Sequence, residues 1–205
     1  MTLVTVVSLL ARGGFVMIPL ALCSVLALAV ILDRSWFWWR ARSAGAAEAI
    51  LHLVRAGKWD DAIETARGAL SPQARVLAAG LDHREGAAAL AMAAAARAEQ
   101  ARMRRALPVL DTVVTLSPLL GLLGTVTGMI AAFGVISTSG IAQPHAITGG
   151  VAEALIATAT GLGIAIASLV PYNYFSSRAE RVLDEIEAEA TRLEVLLAGD
   201  SREAP

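Results

Sequence analysis

The sequence predicts an all-α membrane protein with three transmembrane helices, the long helices running on into a cytoplasmic helical domain. Three observations carry this reading. Of the 205 residues, 56% are hydrophobic and only 17% charged, where a soluble globule has roughly 25% charged residues to cover its surface. The charges that exist fall into two blocks, leaving long stretches with none. Those stretches are of the length a bilayer demands, since a helix rising about 1.5 Å per residue needs roughly 20 apolar residues to cross the hydrocarbon core.

Phe15–Leu32, FVMIPLALCSVLALAVIL, is an uncharged run of 18 residues. It is the shortest of the three. No basic residue precedes Arg12, and the run ends in Asp33-Arg34-Ser35-Trp36, so it reads as a retained span and not as a cleaved signal. Thr112–Gly140 holds no charge, with an apolar heart from Leu116 to Ile136, and Ala154–Phe175 is uncharged over 22 residues. Spans are expected at 15–36, 111–137 and 151–175.

Arginines set the direction. Arg34, Arg40 and Arg42 follow the first span, Arg97, Arg102, Arg104 and Arg105 precede the second, and Arg178 and Arg181 follow the third. The segment between spans two and three has no Lys or Arg. The expected topology has residues 1–14 at the outer face, 37–110 in the cytoplasm, 138–150 as a periplasmic loop and 176–205 as a cytoplasmic C-terminal helix. Trp36, Trp38 and Trp39, and Tyr172, Tyr174 and Phe175, then stand at the inner interface, where amphipathic rings prefer to lie.

Within 37–110 a turn at Gly57 leads into a helix from Trp59 to Ala69, stopped at Ser71-Pro72. It resembles half of a helical hairpin repeat, but no second copy follows. Residues 86–107 read as one helix leading into span two. In the tail Val182, Ile186, Leu193 and Leu197 form one apolar stripe. With no other soluble core in view, that stripe is expected to pack on sibling chains.

The chemistry lies inside the spans. Gly121, Gly124, Thr125, Gly128 and Ala132 make one small-residue face of span two. Ala154, Ala157, Thr158, Gly161, Ala165 and Ser168 make another on span three. Such faces let helices approach closely in lipid, and Gly124-xxx-Gly128 has the close-packing spacing. Packing alone is one reading of these glycines. The threonines have two readings: a hydroxyl bonded to its own helix at i−4, or a polar path lined by Thr125 and Thr158. Glu153 opens span three. It is either a first-turn acid favoured by the helix dipole or a carboxylate facing a bundle interior or water-filled cavity. On a helical wheel it lies about 100° from the small face and shares a stripe with Ala157, Thr160 and Ile164. Glu153 and Thr158 are therefore not expected to touch.

The segments LSPLLGLLGTVTGMIAAF and ITGGVAEALIATATGLGIAIASLVPYNYF closely resemble the proton-channel family that energises TonB-dependent transport, the Tol-Pal system and flagellar stators. The likeness is nearest the ExbB and TolQ type and covers about residues 100–178. GFVMIPLALCSVLALAVILDRSWFW resembles that family's first span, and the flagellar type departs in having four spans. The resemblance implies a bacterial inner-membrane protein forming a homo-oligomeric ring, a homopentamer around a dimer of single-span ExbD/TolR-like partners. It also implies inward proton flow that moves the partner, and through it a TonB- or TolA-like protein. The family's pore-facing threonine of span two falls on Thr125, its span-three Glu on Glu153 and its span-three Thr on Thr158. The main protonatable Asp belongs to the partner. Sodium in place of protons, and a gliding-type role, stay open.

Other classes are excluded or weak. A net charge of −1 argues against nucleic acid. Cys23 is a lone thiol, and His52, His83 and His145 follow no metal-ligand spacing. No nucleophile–base pair or metal cluster lies in the spans, so an enzyme is not expected, nor a cofactor. A passive scaffold, whose small faces only pack, is the competing reading.

Overall fold

The computed structural model describes residues 14–41, 45–139 and 144–203. The expected outer-face segment at residues 1–13 and the loop residues 140–143 lie outside these. The described residues form helices α1 (Met17–Arg40), α2 (Ala46–Arg55), α3 (Trp59–Gly68), α4 (Pro72–Asp82), α5 (Ala88–Arg104), α6 (Leu107–Ser139) and α7 (Pro144–Glu203), with no strand among them. Three stretches are long and apolar enough to cross a membrane.

Local chemistry sets the boundaries. Gly57, at φ +70°, turns the chain between α2 and α3. Ser71 does more than stop α3: its hydroxyl accepts from the Ala74 N–H at 3.3 Å and Pro72 opens α4, the favoured pairing at a helix start. The single helix expected over 86–107 is broken. Arg105 and Ala106 form a turn, Ala106 in the left-handed region at φ +64°. Pro108 explains it, because its ring would clash with the carbonyl four residues earlier and it has no N–H to bond that carbonyl, so the α5 ladder cannot run through it.

The chain divides into two compact units. The span unit takes residues up to Leu32 together with Ala106–Asn173, and the helical unit takes Asp33–Arg105 and the residues from Tyr174. In the span unit Val16, Met17 and Leu20 of the first span pack with Ala157, with Leu120 and Ile164 alongside. Ile18, Leu22 and Val25 of α1, Leu119, Ile130 and Phe133 of α6, and Leu155 and Ile166 of α7 are exposed. Exposed apolar side chains are what a lipid-facing surface requires, since lipid offers helices no hydrophobic drive to hide them.

The helical unit has a core of its own: Ile50, Leu51, Val54, Val76, Leu77, Leu81, Met92 and Met103 are buried together with Val182, Ile186 and Leu193. The tail stripe, expected to pack on sibling chains, thus buries Val182, Ile186 and Leu193 within its own chain. The core is hard to read from the sequence because its parts are far apart in the chain and three of them are helices of only 10 or 11 residues. Two arginine clusters tie it. The buried Glu99 carboxylate accepts from Arg75 at 3.2 Å and Arg102 at 3.0 Å. Arg34, 4% exposed, donates to the carbonyls of Arg102 at 2.8 Å and Met103 at 3.5 Å and pairs with Asp33 at 2.6 Å. Those carbonyls end α5, where a helix leaves acceptors unsatisfied and its dipole favours a cation.

Candidate functional site

Spans two and three meet along glycine. A β-carbon at Gly128 would stand 2.9 Å from that of Ala154 and 2.9 Å from the Gly150 carbonyl oxygen. One at Gly124 would collide with the Ala157 side chain, one at Gly121 would lie 3.0 Å from the Thr158 Cα, and one at Gly161 would run into the Ser117 carbonyl oxygen. The two faces read from the sequence are thus one seam within a single chain. Gly121, Gly124, Gly128 and Gly161 are its contact points, and Ala132, Ala154, Ala157 and Ser168 are buried.

The hydroxyls separate into two kinds. Thr125 donates to the Leu122 carbonyl at 2.6 Å, Thr160 to Ile156 at 2.8 Å and Ser168 to Ile164 at 2.8 Å, all within their own helices. Thr158 does not. Its hydroxyl crosses the seam to the Gly121 carbonyl at 2.8 Å. That carbonyl is also the helical acceptor for the Thr125 N–H, four residues on. The two threonines share an acceptor peptide but do not bond each other.

Glu153 is half-buried and faces elsewhere. Its carboxylate packs on Gly14 in the turn before α1, where a β-carbon would overlap Oε1. Gly14 is left-handed at φ +71°, and the α1 turn starts from it, with the Met17 N–H donating to its carbonyl at 3.1 Å. Ala157 and Ile164, one and three turns along the Glu153 stripe, pack on the first span as well. The structure thus places Glu153 against span one and Thr158 against span two, five residues or about 7.5 Å apart along α7. It does not join Thr125, Glu153 and Thr158 into one cluster. Among the described residues no group of His, Cys, Asp and Glu could hold a metal ion.

Two residues of this region were not singled out from the sequence. Gly14 is one, since nothing local ties it to residue 153. Ser117 is the other: fully buried, with a hydroxyl that has no hydrogen-bond partner. Pro118 beside it lacks an N–H, so the Val114 carbonyl has no helical donor. Its spacing held the signal, because Ser117 lies four residues before Gly121 on the same face.

Comparison with known proteins follows the same segments. The sequence profile of the MotA/TolQ/ExbB proton channel family matches residues 69–188. Over 197 residues the chain is 36% identical to biopolymer transport protein ExbB-like 1 of Synechocystis sp., covering 90% of this chain and 76% of that protein. It is 39% identical over 109 residues to the Tol-Pal system protein TolQ of Pseudomonas aeruginosa, covering 53% of this chain and 47% of that one. It is 36% identical over 104 residues to the biopolymer transport protein ExbB of Xanthomonas campestris pv. campestris, covering 51% and 41%. The chain is therefore a multi-pass membrane protein that belongs to the MotA/TolQ/ExbB proton channel family and is of its ExbB/TolQ type.

Proposed function

We propose that the chain is a subunit of an inner-membrane, proton-driven energiser of the ExbB/TolQ type. It acts as a homopentamer around a dimer of single-span ExbD/TolR-like chains and couples the proton motive force to outer-membrane transport or envelope work. Its N-terminus is periplasmic and its C-terminus cytoplasmic, as the arginine distribution favours. One observation carries the reading beyond family membership. Residues 112–177 contain a single charge, Glu153, at the outer end of a span. The family resemblance puts the main protonatable Asp on the partner, and a chain with no mid-bilayer carboxylate of its own is consistent with that. Glu153 serves as a rim group, and Thr125 and Thr158 line the partner's side.

A passive scaffold is the second reading. It is favoured by the Thr125 and Thr158 hydroxyls, both of which are satisfied within the chain. Glu153→Gln separates the two. The energiser reading expects loss of energised uptake or envelope integrity while the complex still co-purifies with its partner. An unchanged phenotype at normal assembly would sink it. Sequencing the co-purified partner's periplasmic domain assigns the process: TonB-linked, Tol-Pal or gliding-type. Sodium against proton gradients in reconstituted vesicles identifies the ion.

A further inference from the structure

Within the helical unit, a cavity of about 390 Å³ is lined by Asp33, Arg34, Trp36, Phe37, Arg40 and Ala41 of the α1 end, by Leu70 and Arg75, and by Arg105. Four arginines face one acid there, and their pairings show which charges stay available. Arg34 is committed to Asp33 and to the two carbonyls that end α5. Arg75 shares Glu99 with Arg102. Arg40 and Arg105 pair with no carboxylate among the described residues. Arg40 lies over the Trp36 ring, 5.8 Å from its centroid, and Arg105 is exposed on the turn made by the left-handed Ala106. Two uncommitted guanidiniums with a third alongside form a site for an anionic oxygen group, which the guanidinium fork matches best when that group is a phosphate.

We infer that this cavity binds the phosphate headgroup of an anionic phospholipid at the basic end of the first span. Depth favours a lipid over a soluble phosphate. Trp36 and Arg40 follow Leu32, the last residue of the apolar run, by four and eight residues, or about 6 and 12 Å of helix. The headgroup layer is roughly 5–8 Å thick on each side of the hydrocarbon core. Trp36 therefore sits within the layer, and the Arg40 side chain reaches back over that ring into it. The apolar surface points the same way. Trp36 is 60% exposed, Trp39 65% and Leu70, in the α3–α4 connection, 56%. Such exposure beside uncommitted arginines suits an acyl–headgroup boundary, whereas a free anion has no use for it.

The test uses the full chain purified in a neutral detergent. It is titrated with short-chain phosphatidylglycerol, with phosphatidylcholine and inorganic phosphate as parallel probes, and bound adducts are counted by native mass spectrometry. Phosphatidylglycerol is expected to bind at least about tenfold more tightly than phosphatidylcholine. Arg105→Gln is expected to lower that affinity about tenfold, the scale of one lost charge-assisted contact, and Arg40→Gln/Arg105→Gln about a hundredfold. Arg84→Gln, over Trp59 and outside the cavity, is expected to leave it unchanged. If the double variant melts below the parent, single Arg105→Gln supplies the comparison. Three results would each overturn the inference: parental binding by the arginine variants, equal binding of the two lipids, or displacement of the lipid by millimolar inorganic phosphate.

Discussion

In the span unit α6 and α7 touch backbone to backbone, whereas in the helical unit the helices touch through side chains, and one glycine from each displays the difference. A β-carbon on Gly161 meets the Ser117 carbonyl oxygen and, at 3.1 Å, the Gly121 Cα. A β-carbon on Gly80 meets the Met92 Sδ at 2.6 Å and a Leu193 methyl at 3.1 Å. The first obstacles are main chain and cannot move without parting the helices. The second are the ends of flexible side chains, and methionine adapts readily. The seam in the membrane holds because side chains are missing. The core of the helical unit holds because they are present.

The largest expected effect breaks that contrast directly. Gly161→Ala gains about 1 kcal/mol of helix propensity but forces the seam apart, and overpacking costs typically 1–3 kcal/mol, more when backbone must shift. A net loss of about 2 kcal/mol is expected, read as a lower melting temperature in detergent. Gly80→Ala, with the same propensity gain and a yielding neighbour, should stay within about 1 kcal/mol of the parent. Equal losses would erase the distinction between the two units.

Next comes the capping arginine of the helical unit. Arg34→Met keeps the length of the side chain but removes the guanidinium from the Arg102 carbonyl, which keeps only the Arg105 N–H at 3.4 Å, and from the Met103 carbonyl. Each unsatisfied buried acceptor costs about 1–3 kcal/mol, discounted here because the Arg102 carbonyl keeps a second donor and the bond to Met103 is long. A loss of about 2 kcal/mol is expected in the same melting assay.

The smallest effect depends on pH. The half-buried Glu189 carboxyl is raised from 4.5 to about 7, first by desolvation, then by Glu185, against the pull of Arg192, with Glu48 of α2 raising it further. Its Oε2 is buried without a partner. The folded state therefore keeps this proton to about pH 7, while the unfolded chain releases it near 4.5. The group costs nothing below that lower value. Its destabilisation grows as pH rises towards 7 and is complete above it. Allowing for solvent on its exposed side, the cost is about 1 kcal/mol. Glu189→Gln should therefore raise stability at pH 8, leave it unchanged at pH 4, and flatten the profile between. A variant with the parental pH slope would show that another group carries it.

Much of the site was legible in advance because it is written in helical spacing. Gly121, Gly124 and Gly128 share a face by arithmetic, and the wheel that set Glu153 about 100° from that face foretold that it would miss Thr158. What arithmetic cannot supply is the far partner. Whether a span threonine bonds its own helix or its neighbour depends on which carbonyl comes within reach across the seam. Thr158 reaches one and Thr125 does not. Nothing local ties Gly14 to residue 153 either, although the Glu153 carboxylate occupies the space of its missing side chain.

The sequence by itself determined the all-helical class, the three apolar spans and the small-residue faces, because hydrophobicity and period are local properties that bilayer thickness and backbone hydrogen bonding turn into helices. Tertiary structure alone decided that the tail stripe finds its core within the chain, that Arg34 closes α5, and that Arg40, Arg75 and Arg105 line one cavity. These contacts join residues tens of positions apart. Their energies exist only once packing has brought the partners together and taken them from water.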